Sequence, residues 1–171
     1  MVDILSHIVE FRNGESGLHV LHIRTITEVL LRQLSSVCGQ YDLTPARIAL
    51  ITNASSLHDI GKISISEDIL NKPGKLDKEE FEIIKTHSAV GAQMLEGLTY
   101  YQDEELVQVA REICRWHHER YDGCGYPDGL KGEEIPVSAQ VVAMADVYDA
   151  LTTRRVYKPA YPHKRAMEMI L

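Results

Sequence analysis

Residues 117–127 read His117-His118-Glu119-Arg120-Tyr121-Asp122-Gly123-Cys124-Gly125-Tyr126-Pro127. Two adjacent imidazoles close a segment of helical periodicity, and a loop with two glycines, a tyrosine and a proline follows. Neighbours on a helix point about 100° apart, so His117 and His118 are expected to serve two ions rather than chelate one together. The loop then brings backbone N–H groups and a phenol beside those ions. This combination suits a phosphate ester held on a metal cluster.

Working outward, apolar residues recur at helical spacing over most of the chain and no stretch reads clearly as a strand, so an all-α fold is expected. Ile4, Leu5, Ile8 and Val9 form one stripe within residues 1–12, which Asn13-Gly14 ends. A longer helix runs from about Gly17 to Cys38. Thr44-Pro45 supplies an N-cap and an N1 proline for a helix reaching about Leu57. Residues 65–76 read as irregular, with a turn at Lys72-Pro73-Gly74. Asp77 and Glu80 resemble a capping box opening a helix to about Leu95. Further helices are expected at about 103–118, at 137–153 after Pro136, and from His163 onward.

At 171 residues, with 44% apolar and 25% charged residues, the chain suits one soluble globular domain with a single core. No apolar run approaches a membrane span, and the N-terminus does not read as a signal peptide. Cys38, Cys114 and Cys124 form no CxxC pair, so neither a disulfide framework nor a zinc ribbon is indicated and a reducing cytoplasm is the default. A net charge of −7 disfavours a nucleic-acid polymer as partner. It does not disfavour a small phosphorylated ligand, because bound metal ions add positive charge outside this count.

The residues bearing chemistry recur near helix ends. His58-Asp59 precedes Ile60-Gly61-Lys62, His87 lies mid-helix, His117-His118 follow, and Asp146 lies in the helix after the loop, with His19 as a fifth imidazole. A single histidine is ordinarily a surface or hydrogen-bonded core residue. That explanation loses force when His-Asp, a central His, His-His and Asp recur together. Imidazole with carboxylate suits iron, manganese or zinc without any thiolate.

His58-Asp59 with Asp146 resembles the HD superfamily of metal-dependent phosphohydrolases. The complete HHExxDGxGYP pattern from His117 to Pro127 narrows the resemblance to the HD-GYP family, over about Glu15 to Lys158. The resemblance implies an HD-domain helical bundle with an irregular GYP loop, and hydrolysis of cyclic di-GMP or a related cyclic dinucleotide on two or three metal ions, often iron. By position it implies metal ligands at His19, His58, Asp59, His87, His117, His118 and Asp146, with Asp59 as the bridge. Glu15 matches a carboxylate associated with a third metal. Lys62 matches the lysine of the HDxGK motif near the scissile phosphate, Gly125 and Tyr126 the substrate loop, and Arg155 and Lys158 a cationic pair that grips phosphates.

Family members often carry arginine three residues after the first histidine, where this chain has His22, expected to be structural, with an outer-shell role as the alternative. Tyr148 and Asp149 are expected to support the ligands rather than bind metal. Glu119 is expected to orient a ligating histidine, and Asp122 to do the same or organise the loop. Gly123 and Gly125 could simply permit positive φ. The chain reads as a single domain, 1–171, excised from a longer regulatory protein. In the expected reaction two metals activate a water for in-line attack and neutralise the developing charge, while Lys62 stabilises phosphoryl or leaving oxygens. The products would be pGpG and then GMP. The main rival is a binding module that senses the dinucleotide or docks a GGDEF-type cyclase through the Gly-Tyr-Pro loop; another is a phosphohydrolase of other nucleotides. A second copy of the chain is a further candidate partner.

Overall fold

The computed structural model describes residues 2–12, 18–153 and 160–170. Eight α-helices lie among them: α1 Val2–Arg12, α2 Leu18–Val37, α3 Pro45–Ser55, α4 Glu67–Leu70, α5 Lys78–Glu96, α6 Glu105–Trp116, α7 Val137–Thr152 and α8 His163–Ile170. No strand occurs among the described residues, as the periodicity anticipates. The cap signals operate as read. The Thr44 side chain accepts from the Arg47 N–H with Pro45 at N1, and Asp77 and Glu80 exchange reciprocal side-chain-to-backbone bonds. Two boundaries differ from expectation. A single-turn helix, α4, capped by Ser66, forms inside the stretch read as irregular. The 103–118 segment shortens to α6, because the chain leaves the helix at His117, its C-cap.

The core gathers Ile23 and Leu31 of α2, Ile48, Ile51 and Ala54 of α3, Val109, Ala110 and Ile113 of α6, and Val142 and Ala145 of α7. Helix α6 packs against α3, α5 and α7, while α2 packs against α3 and α7. Burying the Ile, Leu and Val side chains among them stabilises the bundle by about 1.5–3 kcal/mol each. Helix α1 is fastened at both ends of its last turns. Glu10 Oε1 accepts from the Val20 N–H at 2.7 Å, and Arg12 donates to the carbonyl of Ile63 at 2.6 Å.

One approach between backbones fixes where the chemistry lies. The Ile60–Ser64 stretch is a 3₁₀ helix that runs directly against α5. A Cβ placed on Gly61 would stand 1.9 Å from the His87 carbonyl oxygen and 2.6 Å from the Gly91 nitrogen. Only glycine fits there, and its lack of a side chain brings the helix carrying His87 down onto Asp59.

Candidate metal centre

Five elements converge at one end of the bundle. The start of α2 supplies His19, the turn after α3 supplies His58 and Asp59, mid-α5 supplies His87, the end of α6 supplies His117 and His118, and α7 supplies Asp146. The donor atoms fall into two groups, each with its members within 4.8 Å of one another: Asp59, His87, His117 and His118 in one, and His19, His58 and Asp146 in the other. Asp59 lies between them. Its Oδ1 is 3.2 Å from His87 Nε2 and 3.8 Å from His117 Nε2. Its Oδ2 is 3.3 Å from His58 Nε2 and 2.6 Å from Lys62 Nζ. On the other side His19 Nε2 stands 3.8 Å from Asp146 Oδ1.

Hydrogen bonds set the tautomers of four rings. Nδ1 of His58 donates to the Ser55 carbonyl at 2.9 Å, Nδ1 of His87 to Ile84 at 2.7 Å, and Nδ1 of His117 to Ile113 at 3.0 Å. A carbonyl can only accept, so each Nδ1 carries the proton and a neutral ring turns an Nε2 lone pair toward the site. His19 Nδ1 faces Asp149 Oδ2 at 2.7 Å in the same manner. Metal-bound imidazoles are commonly held through their other nitrogen in this way.

The result is a site with too many acceptors. His87 Nε2 and His117 Nε2 face each other at 3.5 Å. His58 Nε2 and Asp59 Oδ1 are buried without a hydrogen-bond partner, while His58 Nε2 stands 3.3 Å from Asp59 Oδ2. Buried acceptors pointed at one another are costly unless a cation or proton lies between them. These residues therefore fit metal ions.

The protonation equilibria show the same demand. Burial would raise the Asp59 carboxyl, but Lys62 and His58 outweigh it and hold the group well below its usual range. Burial opposes charge on His58, yet Asp59 and Asp146 overcome it and push this imidazole up to about 9, so a proton is drawn to where a cation would otherwise lie. His118, half-buried and beside His87, is lowered to about 4, first by desolvation and then by His87. His117 is also lowered, by burial and then by His118 and His58. Asp149 is brought to about 2 despite burial, by hydrogen bonds from His19, Thr153 and His22.

Several expectations need correction. His117 and His118 do not serve separate groups: both lie with Asp59 and His87, their ring centroids 4.0 Å apart. The 100° rule fails because His117 is a C-cap and His118 lies in the following turn, so no helix separates the rings. Glu119 does not orient a histidine. Its Oε1 accepts from the N–H groups of Asp128 at 2.7 Å and Gly129 at 2.9 Å, so it organises the loop. Gly123 does adopt positive φ, at 78°. Gly125 is required for a different reason: a Cβ there would lie 2.4 Å from the Arg120 nitrogen and 2.5 Å from Glu119 Cα. Asp122 organises the loop, accepting from the Cys124 N–H at 2.9 Å.

Tyr126 places its ring 4.8 Å from that of His118, tilted 32° to it. His22 is more than structural packing, since its Nδ1 donates to Asp149 Oδ1 at 2.7 Å while Asp149 also holds His19. Residues not singled out in the sequence also matter here. Lys85 sets its ammonium 5.4 Å from the Tyr126 ring centroid, and Gly61 with Gly91 brings α5 into place. Glu15, Arg155 and Lys158 lie outside the described residues.

The model of the HD domain family matches residues 6–171. Among similar proteins, a cyclic di-GMP phosphodiesterase of Vibrio cholerae is 43% identical over 170 residues, covering 98% of this chain and 34% of that protein. A 3′3′-cGAMP-specific phosphodiesterase of the same organism is 39% identical over 98% of this chain and 30% of its own length. A cyclic di-GMP phosphodiesterase of Thermotoga maritima is 37% identical over 99% of this chain and 43% of its own. The chain thus spans between about a third and two fifths of the length of these relatives. No described helix is long and apolar enough to cross a membrane.

Proposed function

The chain belongs to the HD domain family, and from that premise we propose that it is an HD-GYP phosphodiesterase domain that hydrolyses cyclic di-GMP to pGpG and/or GMP. The observation that carries this reading is the pair of donor groups set side by side, with Asp59 of one 3.3 Å from His58 of the other. Two-metal phosphodiester hydrolysis calls for ions about 3.5–4 Å apart, and a carboxylate between the two groups suits that spacing. His87, His117 and His118 would hold one ion and His19, His58 and Asp146 the other, with Asp59 between the two groups. Imidazole and carboxylate donors without thiolate suit iron, manganese or zinc, and iron is the ion we propose. Glu15 would add an oxygen for a third ion, and Glu15→Ala should then lower the metal content by one ion.

When bound, the ions supply Lewis acidity and an activated water. The protein's own groups do the rest. Lys62, held 2.6 Å from Asp59 Oδ2, brings an ammonium to phosphoryl or leaving oxygens where charge develops. Gly125 and Tyr126 close the His118 side of the pocket, and Tyr126 keeps its proton because burial and then Asp59 and Asp146 push the phenol well above its usual range. Arg155 and Lys158 would grip the non-reacting phosphate. The exposed rim of the same loop, including Tyr121 and Cys124, is where a GGDEF-type cyclase would dock. Three free cysteines accord with a reducing cytoplasm.

Relatives at similar identity are named for different cyclic dinucleotides, so the decisive assay offers both. Iron- or manganese-loaded protein is incubated with cyclic di-GMP, 3′3′-cGAMP and mononucleotides, and products are separated by chromatography. Turnover of cyclic di-GMP to pGpG or GMP is expected. Hydrolysis of mononucleotides alone, or tight dinucleotide binding with no product, would replace this reading.

A further inference from the structure

We propose that Asp128 is the positioning residue that seats the Tyr126 loop, and that it does so by clamping the loop to the last turn of α6; the proposal rests on the reading of the site as a cyclic dinucleotide phosphodiesterase. Asp128 follows Tyr126 by two residues. Its carboxylate accepts from Arg115 Nε at 2.7 Å and Nη2 at 2.8 Å, and from Trp116 Nε1 at 2.7 Å. Its backbone N–H is taken by Glu119 at 2.7 Å. Three side-chain donors on its carboxylate and one side-chain acceptor on its backbone N–H thus grip a single residue. Bidentate arginine–carboxylate pairs fix geometry as well as adding energy. Arg115 also lowers the Asp128 carboxyl below its usual range, keeping it ionised.

What the clamp joins gives it a role in binding. Arg115 and Trp116 immediately precede His117 and His118, so the clamp ties the loop to the helix end that carries two donor imidazoles. On the other side of the loop the Tyr126 N–H bonds to the His118 carbonyl at 3.2 Å, and the phenol ring lies over the His118 ring. The loop is therefore held at residues 126 and 128, and the orientation of the phenol depends on both. Asp128→Ala removes the side-chain tie to the end of α6 without touching a donor atom of either metal group, and leaves the backbone N–H groups of residues 128 and 129 on Glu119.

Trp116 is the only tryptophan of the chain, and its indole N–H is one arm of the clamp, so its fluorescence reads the seating of the loop. The test is a double-mutant cycle of Asp128→Ala and Tyr126→Ala in the metal-loaded protein, followed by KM and kcat on cyclic di-GMP, metal content, and acrylamide quenching of Trp116. Asp128→Ala should raise quenching, leave metal content unchanged, and raise KM about tenfold with kcat nearly constant, since a misplaced contact group costs binding. In the Tyr126→Ala background the same change should move KM less than about twofold, because a residue acting through Tyr126 has nothing left to position. Asp128→Asn, which keeps an acceptor and the side-chain volume, should fall between wild type and Asp128→Ala, and replaces it in the cycle if the alanine variant does not fold. Effects on KM that multiply, unchanged quenching, or loss of metal in Asp128→Ala would each overturn the proposal. If the wild type does not turn over cyclic di-GMP the functional reading fails, and the cycle is then read on the rate of Mn²⁺ release, which Tyr126 slows by covering His118: non-additive acceleration supports the clamp and multiplicative acceleration refutes it.

Discussion

Replacing Gly61 by alanine adds one methyl group at the tightest approach found at any described glycine. The new Cβ would lie 1.9 Å from the His87 carbonyl oxygen, 2.6 Å from the Gly91 nitrogen and 2.9 Å from Gly91 Cα. Ordinary contact begins at 3.4 Å, so the 3₁₀ stretch and α5 must part by about 1.5 Å, the difference between 3.4 and 1.9. All the obstructing atoms are backbone, so no side chain can swing aside. Overpacking of this kind costs about 1–3 kcal/mol or more, and at roughly 2–4 °C per kcal/mol for a chain of this size the melting temperature should fall by about 6–12 °C at the upper figure. The same displacement carries His87 away from Asp59 Oδ1, now 3.2 Å distant, and loosens the group formed by Asp59, His87, His117 and His118. Gly91→Ala is the internal control. A Cβ there meets Gly61 N at 3.0 Å and nothing nearer, so a few tenths of an ångström relieve it. Differential scanning calorimetry and plasma mass spectrometry of metal content should rank wild type above Gly91→Ala, and Gly91→Ala well above Gly61→Ala. A Gly61→Ala protein with wild-type metal content and melting temperature would refute the view that this contact builds the site.

Other outcomes follow from the same geometry. Asp59→Ala should lose metal from both groups and with it all turnover, whereas loss of a single ion by mass spectrometry would show that Asp59 is not a bridge. Asp149→Asn should weaken metal binding by about 10–100-fold, because the carboxylate that holds His19 through a 2.7 Å bond is gone; an unchanged affinity in chelator competition would return Asp149 to simple packing. In the metal-free domain His58 and His118 act in opposite directions. His58 is raised to about 9, so its contribution to stability is full below pH 6.5 and is lost as pH climbs toward 9. His118 is lowered to about 4, so the unfolded chain takes up that proton first, and stability present above pH 6.5 drains away as pH falls toward 4. The melting temperature of metal-free protein should therefore peak near pH 6.5, with about 3 kcal/mol lost by each extreme at 1.36 kcal/mol per unit. A curve still rising between pH 6.5 and 9 would contradict the carboxylate field around His58.

The helices were legible because their signals are local. Thr44 and Pro45, or Asp77 and Glu80, act within four residues, and the same short-range chemistry operates in the folded chain. The candidate ligands were legible for another reason: imidazoles and carboxylates have few ordinary reasons to recur near helix ends in this order. Contacts across long separations were not legible. Gly91 inside α5 reads locally as a weak point costing about 1 kcal/mol, and only the approach of Gly61, thirty residues earlier, gives it a purpose. Asp128 reads as a turn residue after proline and Arg115 as a helix-surface cation, so nothing in either segment announces a bidentate pair.

The pairing of His117 with His118 shows how a correct local rule can mislead. Side chains on a continuous helix diverge by about 100° per residue, and a helix continuing to residue 118 would have sent these rings to different ions. The helix instead ends at Trp116, and the Tyr126 N–H reaches back to the His118 carbonyl. That bond depends on Gly125, where any Cβ would strike the backbone of Glu119 and Arg120. The glycine two positions before the proline thus lets the loop fold back on the two histidines, bringing Tyr126 over the His118 ring. Gly125→Ala should accordingly impair the loop and the His118 donor together, while His19, His58 and Asp146, which belong to α2, α7 and the turn after α3, keep their arrangement.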